Sequence, residues 1–229
     1  VVLLLGELRE LSATDPLGSD IVAMSESTIT YKAMRNLYAT CAVHAIGNVV
    51  SLDTTVIGLR GLDAEVDSLL IFADSSVATL RDDKWLHRNV ASLGRASNCP
   101  GGQPSMDVGI RPGLAAADGV LQGSPVRGFE VVEVRRYRDA SGSVWLGARR
   151  YHKRTGWTGL QPVTGPLVAK GFRLSYFDAA GHATTDVAHV ARIGIAVIGR
   201  TAQRVQTSIG TVDYLVDTLA TQVALRNNR

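Results

Sequence analysis

The spacing of apolar residues changes along the chain from a helical period to a strand period. Leu4, Leu8 and Leu11 recur at helical spacing with polar residues between them, which predicts a helix over residues 1–13. Over residues 28–33, apolar and polar residues alternate, which is typical of a strand. The chain therefore begins with one helix and continues as strands.

The later apolar runs predict two hairpins and a closing strand. The first hairpin joins residues 129–137 to 144–153, and the second joins 168–177 to 190–198. A last strand is expected over 214–225, with a helix as the alternative because Leu215, Leu219 and Ala220 also fit one helical face. Residues 98–125 contain many glycines and prolines, so we expect a long loop there.

Together these elements predict an α+β fold in a single domain spanning residues 1–229. In this fold the amino-terminal helix packs on one or more antiparallel sheets, and a long loop lies in the middle of the chain. Strands and helices do not alternate along the sequence, which disfavours a parallel nucleotide-binding sheet.

Composition argues against a nucleic-acid partner and indicates a folded chain. The 229 residues carry a formal charge of +3, and the basic residues are scattered, so we expect no nucleic-acid partner. The hydrophobic fraction of 45% is typical of a folded protein.

The two cysteines differ in their sequence context. Cys41 lies in an apolar run, whereas Cys99 lies in the loop sequence Asn98-Cys99-Pro100-Gly101-Gly102. This combination favours a disulfide that holds a loop to a sheet, and with it an oxidising compartment. The alternative is a pair of unrelated buried thiols.

Motifs for catalysis or metal binding are missing from the sequence. It has no GxSxG, HExxH, phosphate-binding loop or dinucleotide glycine pattern, and its five histidines are isolated. We therefore expect no catalytic residue, metal or cofactor. Asp82 and Asp83 precede Lys84-Trp85, and their carboxylates could coordinate Ca²⁺ or bind a sugar. The favoured interpretation is that they form a polar turn before a strand.

The second half of the chain resembles the minor pseudopilins of type II secretion systems, particularly the J-type, and the related W-type minor pilins. The similarity lies in the order of its pieces: residues 134–139 leading to 145–150, then 163–167, then 171–178 with Gly181, then 190–197, then the ending at 221–228. It covers about half of the chain. The Gly-Phe-Thr-Leu-x-Glu-type start of that family is missing, so residues 1–13 would be the distal end of its long helix.

The resemblance implies a pilin-like structural subunit of a filament, at or near the tip of a pseudopilus or surface pilus, without catalysis. Its partners would be other pilin or pseudopilin subunits. It would be periplasmic or on the cell surface, anchored in the inner membrane through an upstream helix before filament assembly.

The opening residues are the candidate partner-binding site. Residues 1–5 are consecutive apolar residues, so their side chains point around the whole helix and one sheet covers only one side. We expect Leu8 and Leu11 to pack on the sheet of the chain itself. Val1, Val2, Leu3 and Leu5 are then expected to contact other subunits.

Two alternatives remain open from the sequence. The first is an extracellular binding module, such as an adhesin or a carbohydrate-binding domain, with Trp85, Tyr151 and Trp157 as candidate contact residues. The second is an enzyme of unidentified class, in which Asp and His residues would converge in a pocket.

Overall fold

The protein is described by a computed structural model, which covers all residues except 1, 14–18, 44–46, 56–57, 59, 75–82, 207–209 and 226–229. Within these described residues the structure is nearly all β, with one short α-helix. The elements in the described ranges are α1 (Val2–Arg9), β1 (Ile21–Ser25), β2 (Thr28–Val43), β3 (Gly47–Asp53), β4 (Ser68–Ala73), β5 (Lys84–Asn98), β6 (Pro104–Leu114), β7 (Pro125–Arg138), β8 (Val144–His152), β9 (Gly156–Trp157), β10 (Gln161–Phe177), β11 (Arg192–Arg200), β12 (Val205–Gln206), β13 (Val212–Asp213) and β14 (Val216–Ala224).

The α+β fold class predicted from the sequence is wrong. The chain is nearly all β, built as a large antiparallel sheet, and its α-helix is eight residues long. The pilin-like identity is wrong for the same reason, since a large sheet with almost no helix is unlike a pilin. The sequence similarity rested on antiparallel hairpins, which many β proteins contain.

The opening helix is present but shorter than predicted. α1 covers Val2–Arg9, and Leu11 lies just beyond its end. Leu4, Leu8 and Leu11 are all buried, as their helical spacing predicts. The helix therefore supplies a few core side chains and does not form a layer of the fold. No helix within the described ranges is long and apolar enough to cross a bilayer.

The long loop predicted over residues 98–125 is also wrong, because β6 occupies Pro104–Leu114. Pro104 is the first residue of the strand, a position where the missing N–H group is tolerated. Gly109 pairs with both β3 and β5, and a Cβ at this position would collide with the Ser92 hydroxyl. The glycine is required by close strand packing and does not mark a loop.

The two predicted hairpins are confirmed. β7 pairs antiparallel with β8 from Val132↔Arg150 to Arg138↔Val144. β10 pairs antiparallel with β11 across the loop at residues 178–191. The closing strand is also present, as β14.

The chain divides into two compact units. The first contains Val1–Lys32, Val132–Tyr151 and Trp157–Arg229, and the second contains Ala33–Val131 and His152–Gly156. Within the first unit, β8, β10, β11 and β14 follow one another in the sheet. Its buried side chains include Leu8, Phe172, Ile193 and Ile195.

The second unit has a core of its own. Its strands follow the order β2-β3-β6-β5-β4-β7, and β7 also pairs with β2, so the hydrogen-bonded ladder returns to its starting strand. The side chains enclosed by these strands are apolar: Tyr38, Val50, Leu52, Leu62, Leu69, Ile71, Val90, Val108, Ile110, Leu114 and Val126.

Candidate functional site

A disulfide joins Cys41 to Cys99 in the second unit. Cys41 lies on β2 and Cys99 directly after β5, with their Cα atoms 5.2 Å apart and both residues buried. The Cys99 amide donates to the carbonyl of Gln103 at 2.8 Å, which closes the turn into β6. The bridge therefore connects β2 to the β5–β6 turn, the arrangement of strand and loop cysteine that the sequence predicts.

The predicted partner-binding residues lie mostly outside the described part of the structure. Val1 is not described, nor are the side chains of Val2 and Leu3. Leu5 is half-buried and lines a shallow groove with Gly6 and Arg9 of α1 and with residues 221–224 of β14. The one described member of this group therefore lies beside the last strand of the sheet.

The strand β14 is the last in the order of strands, and within the described residues it pairs only with β11. The pairing is regular over all nine residues, from Arg192↔Ala224 to Arg200↔Val216. The first five residues of β14, 216–220, are all exposed. Within the described part of the chain, residues 216–220 are therefore the part of this strand that is exposed and paired on one side only, as in an edge strand that can pair with another chain.

Exposed apolar side chains accumulate at this edge. Val212, Leu215, Val216 and Leu219 are 49–63% exposed. Leu219 pairs with Val197, which is buried, so both side chains lie on the core-facing side of the sheet. The apolar layer of the first unit thus continues to the edge of the sheet without being covered there. We call residues 212–220 the β14 edge.

The strand at the other end of the order, β1, differs from β14. It has five residues, and its register with β2 shifts between Ile21 and Ala23. Short and irregular strands are common at sheet edges because they do not accept another strand easily. β14 has neither feature, and its single charged residue is Asp217.

The sequence predicted a strand over 214–225 but did not identify it as an interaction site. Its low charge and β-branched residues are visible in the sequence, yet they are also typical of a central strand. Only the strand order distinguishes an edge strand from a central strand. The strand order depends on pairings between residues far apart in the sequence.

A network of charged residues lies in the second unit. The Arg60 guanidinium binds Asp67 and Glu130, and Arg35 Nε donates to Glu130 Oε1 at 2.6 Å. The Lys153 ammonium donates to the backbone carbonyls of Ala64, Asp67 and Val90. Burial lowers the pKa of Lys153, while Asp67 raises the pKa of Arg60 by accepting its hydrogen bonds. These contacts hold the segment before β4 against β5 and β7.

The aromatic candidates fall into different units. Trp85 belongs to the second unit, where its ring packs edge-on against Phe72 and beneath Arg127, whose Cζ is 4.5 Å from the ring centre. Tyr151 and Trp157 belong to the first unit and contact each other edge-on, with ring centres 5.4 Å apart. The structure thus brings together two of the three predicted contact residues.

The candidate calcium ligands are not tested, because Asp82 lies outside the described residues. Within the described ranges, no group of three or more His, Cys, Asp or Glu residues is arranged to hold a metal ion.

Comparisons with known proteins add no relative: no protein-family model, curated protein or solved structure matches this chain.

Proposed function

We propose that this chain is a structural subunit that acts outside the cytoplasm by binding protein at the β14 edge. This proposal is based on one observation: β14 is a regular nine-residue strand at the end of the strand order, and exposed apolar side chains lie beside it. Exposed apolar side chains beside an edge strand favour association with another chain. Pairing along the outer side of the strand buries these side chains and satisfies its outer backbone groups.

The partner that this edge fits best is a second copy of the chain. Antiparallel pairing of two β14 strands, centred on Ala220, places Asp217 of each copy opposite Val223 of the other. Two like charges directly opposite each other destabilise a pair of strands. In this register the two Asp217 carboxylates are not opposite each other, so this repulsion is avoided. An isologous contact of this kind closes after two copies.

The same pairing continues the apolar layer of the first unit across the contact. Leu219 of each copy would lie opposite Thr221 and diagonal to Leu219 of the other copy, within reach of long side chains. The exposed Leu219 side chains would then cover each other on the core-facing side, next to the buried Val197. Burying one leucine contributes about 1.5–3 kcal/mol.

Two further features support this function. The disulfide between Cys41 and Cys99 is typical of proteins from oxidising compartments, which favours a location outside the cytoplasm. The buried carboxylates of Asp67 and Glu130 are bound by arginines and serve the packing of the second unit, which favours binding over catalysis.

Sedimentation velocity of the full chain tests the proposal. The wild type is expected to shift from monomer to dimer as its concentration rises, whereas the double variant Val216→Lys, Leu219→Lys is expected to remain monomeric. A charged side chain on an edge strand blocks pairing with another chain. The control is Val163→Lys, because Val163 is 48% exposed but lies away from the β14 edge, in the part of β10 that pairs with β8.

A wild type that stays monomeric at every concentration would overturn the second copy as the partner. So would a double variant that dimerises as the wild type does while keeping the wild-type circular dichroism spectrum. Loss of the dimer in Val163→Lys as well would show that charge, and not the edge, controls association.

A further inference from the structure

One face of the β7–β8 hairpin carries a row of aromatic and charged side chains. In the antiparallel register, Tyr137 pairs with Trp145, Arg135 with Gly147 and Glu133 with Arg149. Cross-strand partners share a face, and so do residues two apart on one strand. Glu133, Arg135, Tyr137, Trp145, Arg149 and Tyr151 share this face, with Trp157 of β9 beside them and with Glu133 buried at 8% exposure; we call it the aromatic face. It lies wholly within the first unit.

Two rings on this face lie against glycines. A Cβ added to Gly147 would be 2.6 Å from Cε1 of Tyr137, and one added to Gly165 would be 2.6 Å from Cε3 of Trp145. Each ring therefore occupies the space that a side chain would otherwise fill and covers the sheet backbone. Both side chains are partly exposed.

The second pair of rings lies further along β8. Tyr151 is 41% exposed and contacts Trp157 edge-on. Arg149 stacks on the Trp157 ring, with Cζ 4.7 Å from the ring centre. Trp145 and Tyr151 are six residues apart on one strand, which is about 20 Å. The face thus has aromatic groups at both ends of an extended surface.

The charges between these rings are paired. Arg149 Nε donates to Glu133 Oε1 at 2.8 Å, and an Arg135 Nη1 atom lies 3.6 Å from the same oxygen. The Trp145 indole N–H donates to Asp139 Oδ2 at 2.8 Å. Paired guanidinium and carboxylate groups offer hydrogen bonds without a strong net charge, and the carboxylates repel phosphate. A neutral ligand with many hydroxyl groups fits this surface better than a nucleic acid does.

From this geometry we infer that the aromatic face binds an oligosaccharide, in addition to the protein contact at the β14 edge. Sugar rings would stack on Tyr137 and Trp145 at one end and on Tyr151 at the other. Their hydroxyl groups would accept hydrogen bonds from Arg135, which the buried Glu133 carboxylate holds in place. Because the face is an extended strand surface, it favours straight, flat β-1,4-linked chains over curved α-1,4-linked chains.

Titration calorimetry of the full chain tests this site with four probes. They are a β-1,4-glucan hexamer, a β-1,4-linked N-acetylglucosamine hexamer, an α-1,4-glucan hexamer and single-stranded oligo(dT). At least one β-linked hexamer is expected to bind more tightly than the other two probes. Trp145→Ala and Tyr151→Ala are each expected to weaken that binding roughly tenfold, which corresponds to the loss of one aromatic contact. Trp85→Phe in the second unit is the control and should leave the affinity unchanged.

Three results would overturn the inference: no binding of either β-linked hexamer at millimolar concentration, tighter binding of oligo(dT), or wild-type affinity in both Trp145→Ala and Tyr151→Ala. Equal affinity for the α-linked hexamer would overturn the argument from the flat surface. Thermal unfolding of each variant, compared with the wild type, separates loss of contact from loss of fold. If Trp145→Ala is unfolded, the exposed Tyr151→Ala variant decides the question.

Discussion

Arg60 and Asp67 form a two-pronged ion pair, with Nη1 2.7 Å from Oδ2 and Nη2 2.6 Å from Oδ1. The Asp67 carboxylate is fully buried, and the Nη2 atom of the same guanidinium also contacts Glu130 at 3.1 Å. One partly exposed arginine therefore bridges two buried carboxylates, of which Glu130 also binds Arg35. Its loss would leave the Asp67 carboxylate without its main cationic partner in the interior of the second unit.

The first prediction concerns this pair. Arg60→Ala is expected to lower the free energy of unfolding by about 3 kcal/mol, the lower part of the range for broken buried pairs, since part of the guanidinium is in water. Chemical denaturation at neutral pH measures the change. The control is Arg173→Ala, which removes an exposed pair with Glu26 at 2.9 Å and should cost under about 1 kcal/mol. Equal losses in the two variants would contradict the role of burial.

The second prediction concerns the disulfide. Cys41 and Cys99 are 58 residues apart, and closing a loop of this length stabilises the folded chain by about 4 kcal/mol in the chain-entropy description. We expect the double variant Cys41→Ser, Cys99→Ser to lose stability of this order in chemical denaturation. Adding reductant to the wild type should produce the same loss and leave the double variant unchanged. A wild type that is insensitive to reductant would show that the bond is not formed in solution.

The third prediction concerns pH above neutrality. Tyr176 donates to the Ser25 carbonyl at 3.1 Å, and burial raises the pKa of its hydroxyl group above the usual value near 10. The stability linked to this raised pKa is fully present below pH 10 and falls as the pH rises above it. Tyr176→Phe should cost about 1 kcal/mol at pH 7, from the lost hydrogen bond. The difference between the two proteins should shrink above pH 10, and a constant difference up to pH 11 would contradict the assignment.

The fourth prediction concerns acidic pH. Asp139 in the β7–β8 turn accepts hydrogen bonds from the Ser141 hydroxyl, two backbone amides and the Trp145 indole. These bonds, with the Ser141 hydroxyl first, lower the pKa of Asp139 below its usual 3.8. The linked stability is present above that value and is lost as the pH falls through the lowered pKa. Asp139→Asn should therefore melt below the wild type at pH 7, with the two melting temperatures converging towards pH 2.

The hairpins of this fold are predictable from the sequence because their signals are local. Residues 129–137 and 144–153 are rich in strand-forming residues and flank a short turn, and the structure has β7 and β8 there. The region 98–125 was misjudged because Pro104 and Gly109 resemble loop signals, although one begins a strand and the other permits close packing. The fold class was wrong because the described chain is nearly all β, and its one α-helix, of eight residues, is too short to form a layer on the sheet.

The functional surfaces depend on long-range pairing, which a single sequence does not reveal. Tyr151 and Trp157 were recognised as candidates, but the contribution of Tyr137 and Trp145 became visible only from their register and from the glycines beneath them. In the same way, β14 became a candidate interface only once it was found at the end of the strand order.

Amide hydrogen exchange of β14 reports directly on whether two copies of the chain pair through this strand. In an edge strand, alternate N–H groups point away from the neighbouring strand and exchange with solvent. If two copies pair through β14, exchange over residues 216–224 should slow as the concentration of the full chain rises, and the double variant Val216→Lys, Leu219→Lys should lose this dependence. Exchange in β14 that is independent of concentration, or protection that appears instead on β1, would contradict the proposed pairing.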